Sequence, residues 1–309
     1  EQAQNIFFRK RRNDNLIINH IGSKKNVTTT PKENIILMGG GTNESEGFKI
    51  LLKSTRGGDV VVLSTKSKIN HRYTHYLWQL AQKNNIPINS ITTVSTKNRN
   101  GAISSQAYNV LKKAESIFLT GGDQFRYKKF WENSSFLSLL NEKVNNGNPI
   151  AGSSAGLAIL GEYYFSAQNG TIFSTDALKN PNSERITIEK NLMSIPLLRS
   201  IITDSHFSQR YREGRLIAFL NNIKTRDNQE VIGIGIDEST SFIINSDKIY
   251  VLGAGSAFVY KPLEKKALDF GPIKRFSLRE GEQFQSIKEL KNNFDLVNVI
   301  NGDIIITER

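Results

Sequence analysis

The feature that most constrains the fold is the alternation of short apolar runs with amphipathic stretches in the first part of the chain. The apolar runs are Asn34–Gly39, Asp59–Ser64, Ser90–Val94 and Ser116–Thr120, and segments with helical periodicity separate them. Uninterrupted apolar strands that alternate with helices are typical of a parallel sheet that is covered on both faces. The sequence therefore predicts an α/β fold with a doubly wound, mostly parallel sheet.

Beyond about residue 240 the pattern changes and the chain becomes β-rich. Strand-like runs follow one another at Thr240–Asn245, Lys248–Leu252, Ala257–Tyr260 and Asp303–Thr307. We expect them to form an antiparallel extension of the sheet. The predicted organisation is a basic, polar N-terminal segment over residues 1–33 and one main domain over 34–309, with core motifs in 34–240 and the β-rich part in 241–309.

Composition excludes several classes of protein. No apolar run approaches the roughly 20 residues that span a bilayer, so we do not expect the chain to be an integral membrane protein. The 309 residues contain no cysteine, which excludes disulfides, a thiolate nucleophile and cysteine metal sites. The chain starts at Glu1 rather than Met, which favours a trimmed, extracytoplasmic protein (periplasmic or secreted) over a cytoplasmic one.

The net charge is +12, from 41 basic and 29 acidic residues. Such an excess favours a polyanionic partner, although a solvated basic surface is the simpler explanation. A nucleic-acid-binding module would interleave aromatic and basic residues, and Phe7–Arg12 is the only such segment. We therefore expect no nucleic acid partner.

Functional groups in doubly wound folds gather where strands end and loops lead into helices. Glycine-rich segments stand at three such ends, which are Gly39–Gly41, Gly121–Gly122 and Gly152–Gly156. The third fits the pattern G-x-S-x-G between a short apolar run and a stretch that can form a helix. This setting predicts a sharp turn with Ser154 as an exposed nucleophile, whereas Ser153 occupies the x position and is the poorer candidate.

An activated serine requires a base, and the candidates are four histidines. His20 lies in the N-terminal segment, and His71 and His75 have helical i, i+4 spacing without the glutamate of a zinc-binding H-E-x-x-H pattern, so we predict no metal site. His206 follows a predicted strand end and precedes three arginines within nine residues. Gly214 interrupts the helix that follows and predicts a close backbone approach. His206 is therefore the predicted base.

Two further groups complete a serine site. The backbone N–H groups of Ala155 and Gly122 are the predicted oxyanion donors, because one donor normally follows the nucleophile and the second comes from a glycine-rich strand end. A carboxylate should orient the imidazole. The strand Val231–Ile236 ends at Asp237-Glu238, but Glu162 and Asp176 are rivals that residue patterns alone do not separate.

Four motifs, in this order along the chain, resemble the cyanophycinases and related dipeptidase E-type serine peptidases. They are TGGDQ (120–124), AGSSAG (151–156), DSHFSQRYREGR (204–215) and GIGIDE (233–238). The resemblance spans about residues 34–240 and implies a fold like that of class I glutamine amidotransferases, with serine in place of cysteine. It also implies hydrolysis through a Ser-His-acid triad and an acyl-enzyme. Cyanophycin is a poly-aspartate that carries arginine through isopeptide bonds, and the family cleaves it to β-aspartyl-arginine dipeptides.

On matching positions, the resemblance implies that Ser154 is the nucleophile, His206 the base and Glu238 the acid. Asp176 stays the alternative acid that the residue pattern offers. The substrate-site residues that it implies are Gln124, Asp204, Ser205, Arg210, Arg212 and Arg215. Guanidinium groups suit a carboxylate-rich substrate and a carboxylate suits its arginyl side chain, although these groups could instead form structural salt bridges. Ser205 stands where cyanophycinases carry Gln, which leaves the substrate open.

The sequence thus predicts a serine exopeptidase whose partner is a peptide rich in aspartate and arginine. No motif implies a metal or an organic cofactor, and a homodimer is what the resemblance suggests. Two alternatives stay open, an Asp-specific dipeptidase and a non-catalytic basic homologue that binds polyanions.

Overall fold

A computed structural model of the chain describes residues 13–41, 45–263 and 272–308. The basic segment Phe7–Arg12 lies outside the described residues. The strands are β1 (Leu16–Gly22), β2 (Ile35–Met38), β3 (Asp59–Ser64), β4 (Ser90–Thr96), β5 (Ser116–Leu119), β6 (Ile150–Ser153), β7 (Tyr163–Phe165), β8 (Ile188–Lys190), β9 (Ile201–Asp204), β10 (Ile232–Ile236), β11 (Thr240–Ile244), β12 (Ile249–Gly253), β13 (Ala257–Pro262), β14 (Ile273–Leu278), β15 (Gln283–Phe284), β16 (Asp295–Ile300) and β17 (Asp303–Glu308).

The helices are α1 (Ser45–Ser54), α2 (Arg72–Lys83), α3 (Arg99–Ala102), α4 (Ser105–Lys113), α5 (Gln124–Trp131), α6 (Ser135–Asn145), α7 (Ala155–Ala158), α8 (Ser174–Lys179) and α9 (Glu213–Asp227). Single 3₁₀ turns occur at Pro196–Leu198 and Ile287–Glu289. None of the helices in the described ranges has both the length and the apolar character needed to cross a bilayer.

The described residues form two compact units. Unit 1 takes its residues from Glu1–Ile35 and Phe48–Ala151, and unit 2 from Ile36–Gly47 and Gly152–Arg309. The boundaries between the units fall inside β2, β6 and α1. The predicted domain boundary at residue 34 stays a prediction, because a compact unit is not by itself a domain.

Unit 1 contains strands in the order β1-β4-β3-β5. β3 pairs in parallel with β4 and β5, and both β3 and β5 are fully buried, as continuous apolar runs predict. β1 adds to β4 in the antiparallel sense and lies inside the segment that the sequence sets apart as polar. Only Leu16 and Ile17 of this strand are buried, so its sequence carries a weak strand signal.

Unit 2 contains two sets of strands. Its residues of β6 and β2 lie beside β11, β12 and β15, in the order β6-β2-β11-β12-β15. A second sheet has the order β17-β16-β14-β13-β10-β9-β7-β8. Its core cluster packs α9 against this sheet through large side chains such as Phe165, Phe219 and Tyr260.

The prediction of a mostly parallel sheet is not exact, because the strands form mixed sheets. β10 pairs in parallel with β9 on one side and antiparallel with β13 on the other. From β11 onwards, the strand pairs with a described register are antiparallel, as the sequence predicts, but these strands are divided between the two sheets. A buried strand has the same continuous apolar sequence whether its neighbours are parallel or antiparallel. The sequence pattern therefore did not reveal that the sheets are mixed.

The parallel pair β9 and β10 places two loops at one sheet edge. Asp204 at the end of β9 is in register with Gly235, one residue before the end of β10. The carboxyl ends of parallel neighbours meet at the same edge, so the residues that follow them come close together. His206 and Glu238 are two residues beyond these ends.

Candidate active site

Ser154 lies in a sharp turn between β6 and α7. Its φ of 54° and ψ of −117° are unusual for a residue with a side chain, and such conformations cluster at functional sites. Gly152 permits the turn, because a Cβ atom there would lie 2.5 Å from the carbonyl oxygen of Gly156. The N–H of Ser154 donates to the carbonyl of Met38 at 3.2 Å, which ties the turn to the end of β2. The strand–turn–helix arrangement predicted around this serine is therefore present.

His206 lies in a compact loop between β9 and α9, and its φ of 48° is also positive. Its N–H donates to the carbonyl of Gly39 at 2.8 Å, and its own carbonyl accepts from the N–H of Arg210 at 2.9 Å. The ring of Phe207 packs on Gly235 of β10, where a Cβ atom would lie 2.4 Å from the ring. The absence of a side chain at Gly235 thus lets Phe207 of the loop pack directly against β10.

Ser154, His206 and Glu238 are joined by two short hydrogen bonds. Ser154 Oγ lies 2.7 Å from His206 Nε2, and His206 Nδ1 lies 2.6 Å from Glu238 Oε1. A carboxylate can only accept, so Nδ1 carries a hydrogen and a neutral ring leaves Nε2 to accept the serine proton. This is the arrangement that a nucleophile, a base and an orienting acid require.

The structure distinguishes the acids that the sequence left open. Glu238 binds the imidazole, whereas Glu162 pairs with Lys190 at 3.3 Å and Asp176 is exposed on α8. Asp237 is 6% exposed and serves a different purpose. Its Oδ1 accepts the N–H of Ser208 at 2.9 Å and its Oδ2 accepts the N–H of Ser256 at 3.1 Å, so it holds the histidine loop against the β12–β13 turn.

The sequence singles out Gly39–Gly41 as a glycine-rich strand end but did not predict that Gly40 and Gly41 contact His206 and Glu238. A Cβ atom on Gly40 would lie 2.5 Å from His206 Cε1, and one on Gly41 would lie 2.8 Å from Glu238 Cβ. Gln209 was also missed, and its Oε1 accepts the N–H of Glu238 at 2.8 Å. The signal for the glycines was their place directly after β2, but sequence gives no indication of which distant side chains they contact.

The environment of His206 favours the neutral imidazole. Burial lowers the pKa of His206, and the neighbouring cations Arg210 and Arg212 lower it further, while Glu238 opposes them through its hydrogen bond and charge. The net effect is a pKa below the usual 6.5. A neutral imidazole is the form that can accept a proton from Ser154.

Asp204 and Arg215 form a buried, bidentate ion pair. Arg215 Nε donates to Asp204 Oδ2 at 2.6 Å and Nη2 donates to Oδ1 at 2.7 Å, and the guanidinium stacks over the rings of Phe165 and Phe219. Burial raises the pKa of Asp204, but the charge and hydrogen bonds of Arg215, the charge of Arg212 and the N–H of Ser205 together outweigh it, so the pKa lies below its usual value. This geometry favours a structural role for the pair, and its contact with substrate stays a prediction.

The other predicted substrate residues differ in exposure. Arg210 is exposed, and Arg212 is partly buried, donating from Nη1 to the carbonyl of Ser205 at 2.8 Å. Burial lowers the pKa of Arg212 to about 10, with Arg215 and Arg210 contributing in the same direction. Ser205 itself is only 2% exposed. Arg210 is therefore the most accessible of the three arginines at positions 210, 212 and 215.

The remaining predicted residues lie as follows. Ala155 is the first residue of α7, directly after Ser154. Gly122 and Gln124 belong to unit 1, where Gly122 has a φ of 143° and Gln124 begins α5. The oxyanion and substrate roles of these three residues stay predictions.

The other histidines have ordinary surroundings. His20 lies on β1 and bonds Thr92 Oγ1 at 2.8 Å, and the rings of His71 and His75 meet edge to face at 4.7 Å. In the described part of the chain, no three or more His, Cys, Asp or Glu side chains are grouped so that they could hold a metal ion.

Comparison with known proteins identifies one matching sequence family and several similar proteins. The sequence model of peptidase family S51 matches residues 35–252. The chain is 30% identical over 176 residues to a cyanophycinase of Trichormus variabilis, an alignment that covers 56% of this chain and 54% of the relative. It is 24% identical over 239 residues to a cyanophycinase of Geminocystis herdmanii, covering 74% and 80%.

The chain thus spans about half the length of the first of these relatives. Among solved structures, it is similar to the crystal structure of a peptidase from an acI-B1 Actinobacterium, with a TM-score of 0.58 and 17% identity. That similarity covers 83% of this chain and 98% of the other. At this identity it supports a shared fold.

Proposed function

The chain belongs to peptidase family S51, and from this membership we propose that it is a serine peptidase that hydrolyses cyanophycin or related β-aspartyl and aspartyl peptides. The observation that carries the proposal is the pair of hydrogen bonds that runs from Ser154 through His206 to Glu238. A serine with a positive φ in a turn tied to neighbouring strands would be a costly way to build a surface loop. The backbone strain at Ser154 is explained if the turn serves to present the serine Oγ to a substrate.

We further propose that the fold is of the class I glutamine amidotransferase type, with serine in place of cysteine. Support comes from the strand–turn–helix at Ser154 and from the similarity to a solved peptidase over most of both chains. In this proposal, the antiparallel strands of unit 2 are additions to the class I glutamine amidotransferase fold.

The proposed acylation begins at the Ser154 hydroxyl. His206 Nε2 accepts the hydroxyl proton as Oγ attacks the scissile carbonyl, and Glu238 stabilises the imidazolium that forms. The N–H groups of Ala155 and Gly122 are the proposed donors to the oxyanion. When the tetrahedral intermediate collapses, the C–N bond breaks and His206 returns the proton to the leaving amine.

Deacylation repeats these steps with water in place of the amine. His206 removes a proton from the water, which attacks the ester carbonyl, and the same proton then returns to Ser154 Oγ as the acyl–oxygen bond breaks. The products are a free carboxylate and the regenerated serine. Because the base must be neutral at the start of both halves, the low pKa of His206 suits the cycle.

The substrate class follows from charge. Asp204 pairs with Arg215 and, at 3.4 Å, also with Arg212, which leaves Arg210 as the exposed cation of the histidine loop. Guanidinium groups bind carboxylates well, so a substrate with free aspartyl carboxylates is favoured. In the proposal the partner is a peptide rich in aspartate and arginine, and the enzyme acts as a homodimer.

The test is to incubate the protein with cyanophycin, β-Asp-Arg and a series of Asp-X dipeptides, and to quantify the products by mass spectrometry. We expect hydrolysis by the parent, loss of about 10⁴-fold or more in Ser154→Ala, and near-parent rates in the matched control Ser153→Ala. Preference for Asp-X dipeptides over cyanophycin would assign the protein as an aspartyl dipeptidase. Unchanged hydrolysis by Ser154→Ala, or no hydrolysis of any substrate by the parent, would contradict the proposal.

A further inference from the structure

Unit 1 contains a cavity of about 420 Å³ that the proposed peptidase activity does not explain. Its lining includes Asp59 and Ser90, the first residues of β3 and β4, so it lies at the amino ends of these parallel strands. Substrate sites in open parallel sheets lie outside the carboxyl ends of the strands. The cavity is therefore at the wrong end of these strands to be part of a substrate site of this type.

The cavity is lined by apolar residues of the sheet and of α4, beside the polar residues His20, Ser90 and Thr92. Ile18 of β1 and Val60 and Val61 of β3 line it from the sheet, and Val110 and Ala114 line it from α4 and the residue after it. The volume falls within the range of about 300 to 1,000 Å³ that is typical of small-molecule sites. An apolar body of moderate size would replace water against these side chains, which is favourable.

The rim of the cavity is cationic. Lys24 and Lys25 approach it from the loop after β1, and Lys113 approaches it from the last turn of α4. Asn109 and Gln106 lie one and two turns, respectively, before Lys113 on the same face of α4 and add amide donors. Cations and amide donors at the mouth of an apolar cavity suit an anionic head group.

The acidic residue among the described lining residues does not cancel this charge towards a ligand. Asp59 is 7% exposed, and its carboxylate is already engaged by the side chains of Asn89 and Ser90 and by the N–H of Val27. A carboxylate that accepts several hydrogen bonds from the protein is internally compensated. The exposed charges at the mouth therefore include those of Lys25 and Lys113.

We propose that this cavity is a second binding site, which takes an organic anion consisting of one acidic head group and an apolar body. The apolar body lies between the β1–β3 side of the sheet and α4, and the head group lies between Lys25 and Lys113. The site is independent of Ser154 and would bind its ligand in a protein with no peptidase activity.

Isothermal titration calorimetry with the full chain tests the proposal, with octanoate as the probe. Acetate supplies the head group without the body, and octanol supplies the body without the charge. We expect one octanoate per chain with a dissociation constant below about 1 mM, and binding at least about tenfold weaker for acetate and for octanol.

A pair of matched variants locates the site. Lys25→Glu combined with Lys113→Glu should weaken octanoate binding by about tenfold or more, because two attractive charges become repulsive. Lys83→Glu combined with Lys112→Glu changes the net charge equally at exposed lysines outside the cavity, and should bind like the parent. Thermal melting of both variants checks that they fold.

Three results would overturn the proposal. They are the absence of saturable octanoate binding up to about 10 mM, equal binding of acetate or octanol, and equal weakening by the control pair. Ser154→Ala should bind octanoate like the parent, so the outcome does not depend on whether the protein is a peptidase.

Discussion

The imidazole of His206 rests directly against the backbone of Gly40, where a Cβ atom would lie 2.5 Å from Cε1 and 2.7 Å from Nε2. The ring is thus held on three sides, by this glycine, by Ser154 Oγ and by Glu238 Oε1. The glycine-rich end of β2 is part of the candidate site because it leaves room for the ring.

Gly40→Ala should disable the site without removing a functional group. The new methyl group would push the imidazole off its line between Ser154 and Glu238, and a displacement of about 1 Å can cost about 100-fold in rate. We expect a loss of that size in kcat/KM for an aspartyl peptide that the parent hydrolyses.

Gly170→Ala is the matched control for this change. Gly170 also has a positive φ, of 87°, but a Cβ atom there would meet nothing within 4 Å. It should therefore show the cost of backbone strain alone, with kcat/KM within about twofold of the parent. Equal losses in the two variants would contradict the steric explanation.

Glu238→Gln should lower kcat by about 10³-fold or more, because an amide no longer stabilises the imidazolium and can favour the wrong tautomer of His206. Asp176→Asn, the acid that the sequence offered as the alternative, should leave steady-state kinetics unchanged. Full activity in Glu238→Gln, or a comparable loss in Asp176→Asn, would show that the acid has been misassigned.

The pH dependence of kcat/KM should report His206. Protonated His206 cannot accept the serine proton, so activity should fall as the pH drops through a pKa below 6.5. Arg210→Gln removes a nearby positive charge, which makes the imidazolium less unfavourable, so the acidic limb should move to higher pH.

Arg226→Gln provides the comparison, because Arg226 is not among the charges that shift the pKa of His206. Its acidic limb should coincide with that of the parent. If the limb of Arg210→Gln moves to lower pH or stays in place, the assigned electrostatic effect of Arg210 is wrong.

Asp204→Asn should destabilise the protein by about 3–5 kcal/mol, because it leaves the buried Arg215 without its counter-charge. The exposed pair Arg226–Asp227 offers a control, and Asp227→Asn should cost only about 0–1 kcal/mol. Urea unfolding monitored by circular dichroism measures both. Similar costs for the two variants would contradict the structural role of the buried pair.

The same pair gives stability a pH dependence. The pKa of Asp204 is lower in the folded protein than its usual value, so the stabilisation is present above the unfolded pKa and is lost as the pH falls through the folded pKa. The difference in unfolding free energy between the parent and Asp204→Asn should therefore shrink in acid.

The sequence was sufficient for the parts of the site that depend on local pattern. Ser154 follows from a motif with its strand and helix on either side, and His206 follows from a strand end rich in arginine. The choice of Glu238 over Asp176 required the family resemblance, because helix and strand patterns place both near plausible positions. Contact between Gly40 and His206 joins residues far apart in the chain, and no local rule predicts it.

The fold was likewise predictable where it depends on local sequence pattern. Buried runs such as β3 and β5 were visible as strands, but the partners of β10 were not, because burial does not reveal strand direction. β1 was missed because most of it is only partly buried, so its alternation is weak.

The most direct test of the central claim is covalent labelling with an alkyl phosphonofluoridate, followed by peptide mapping. The reagent transfers its phosphonyl group to an activated serine oxygen with loss of fluoride. It therefore reports the nucleophilicity of the serine without requiring the natural substrate. We predict one adduct, on Ser154, that is absent in Ser154→Ala and is formed much more slowly in His206→Ala. Labelling of Ser153 instead, or none at all on the folded parent, would contradict the account.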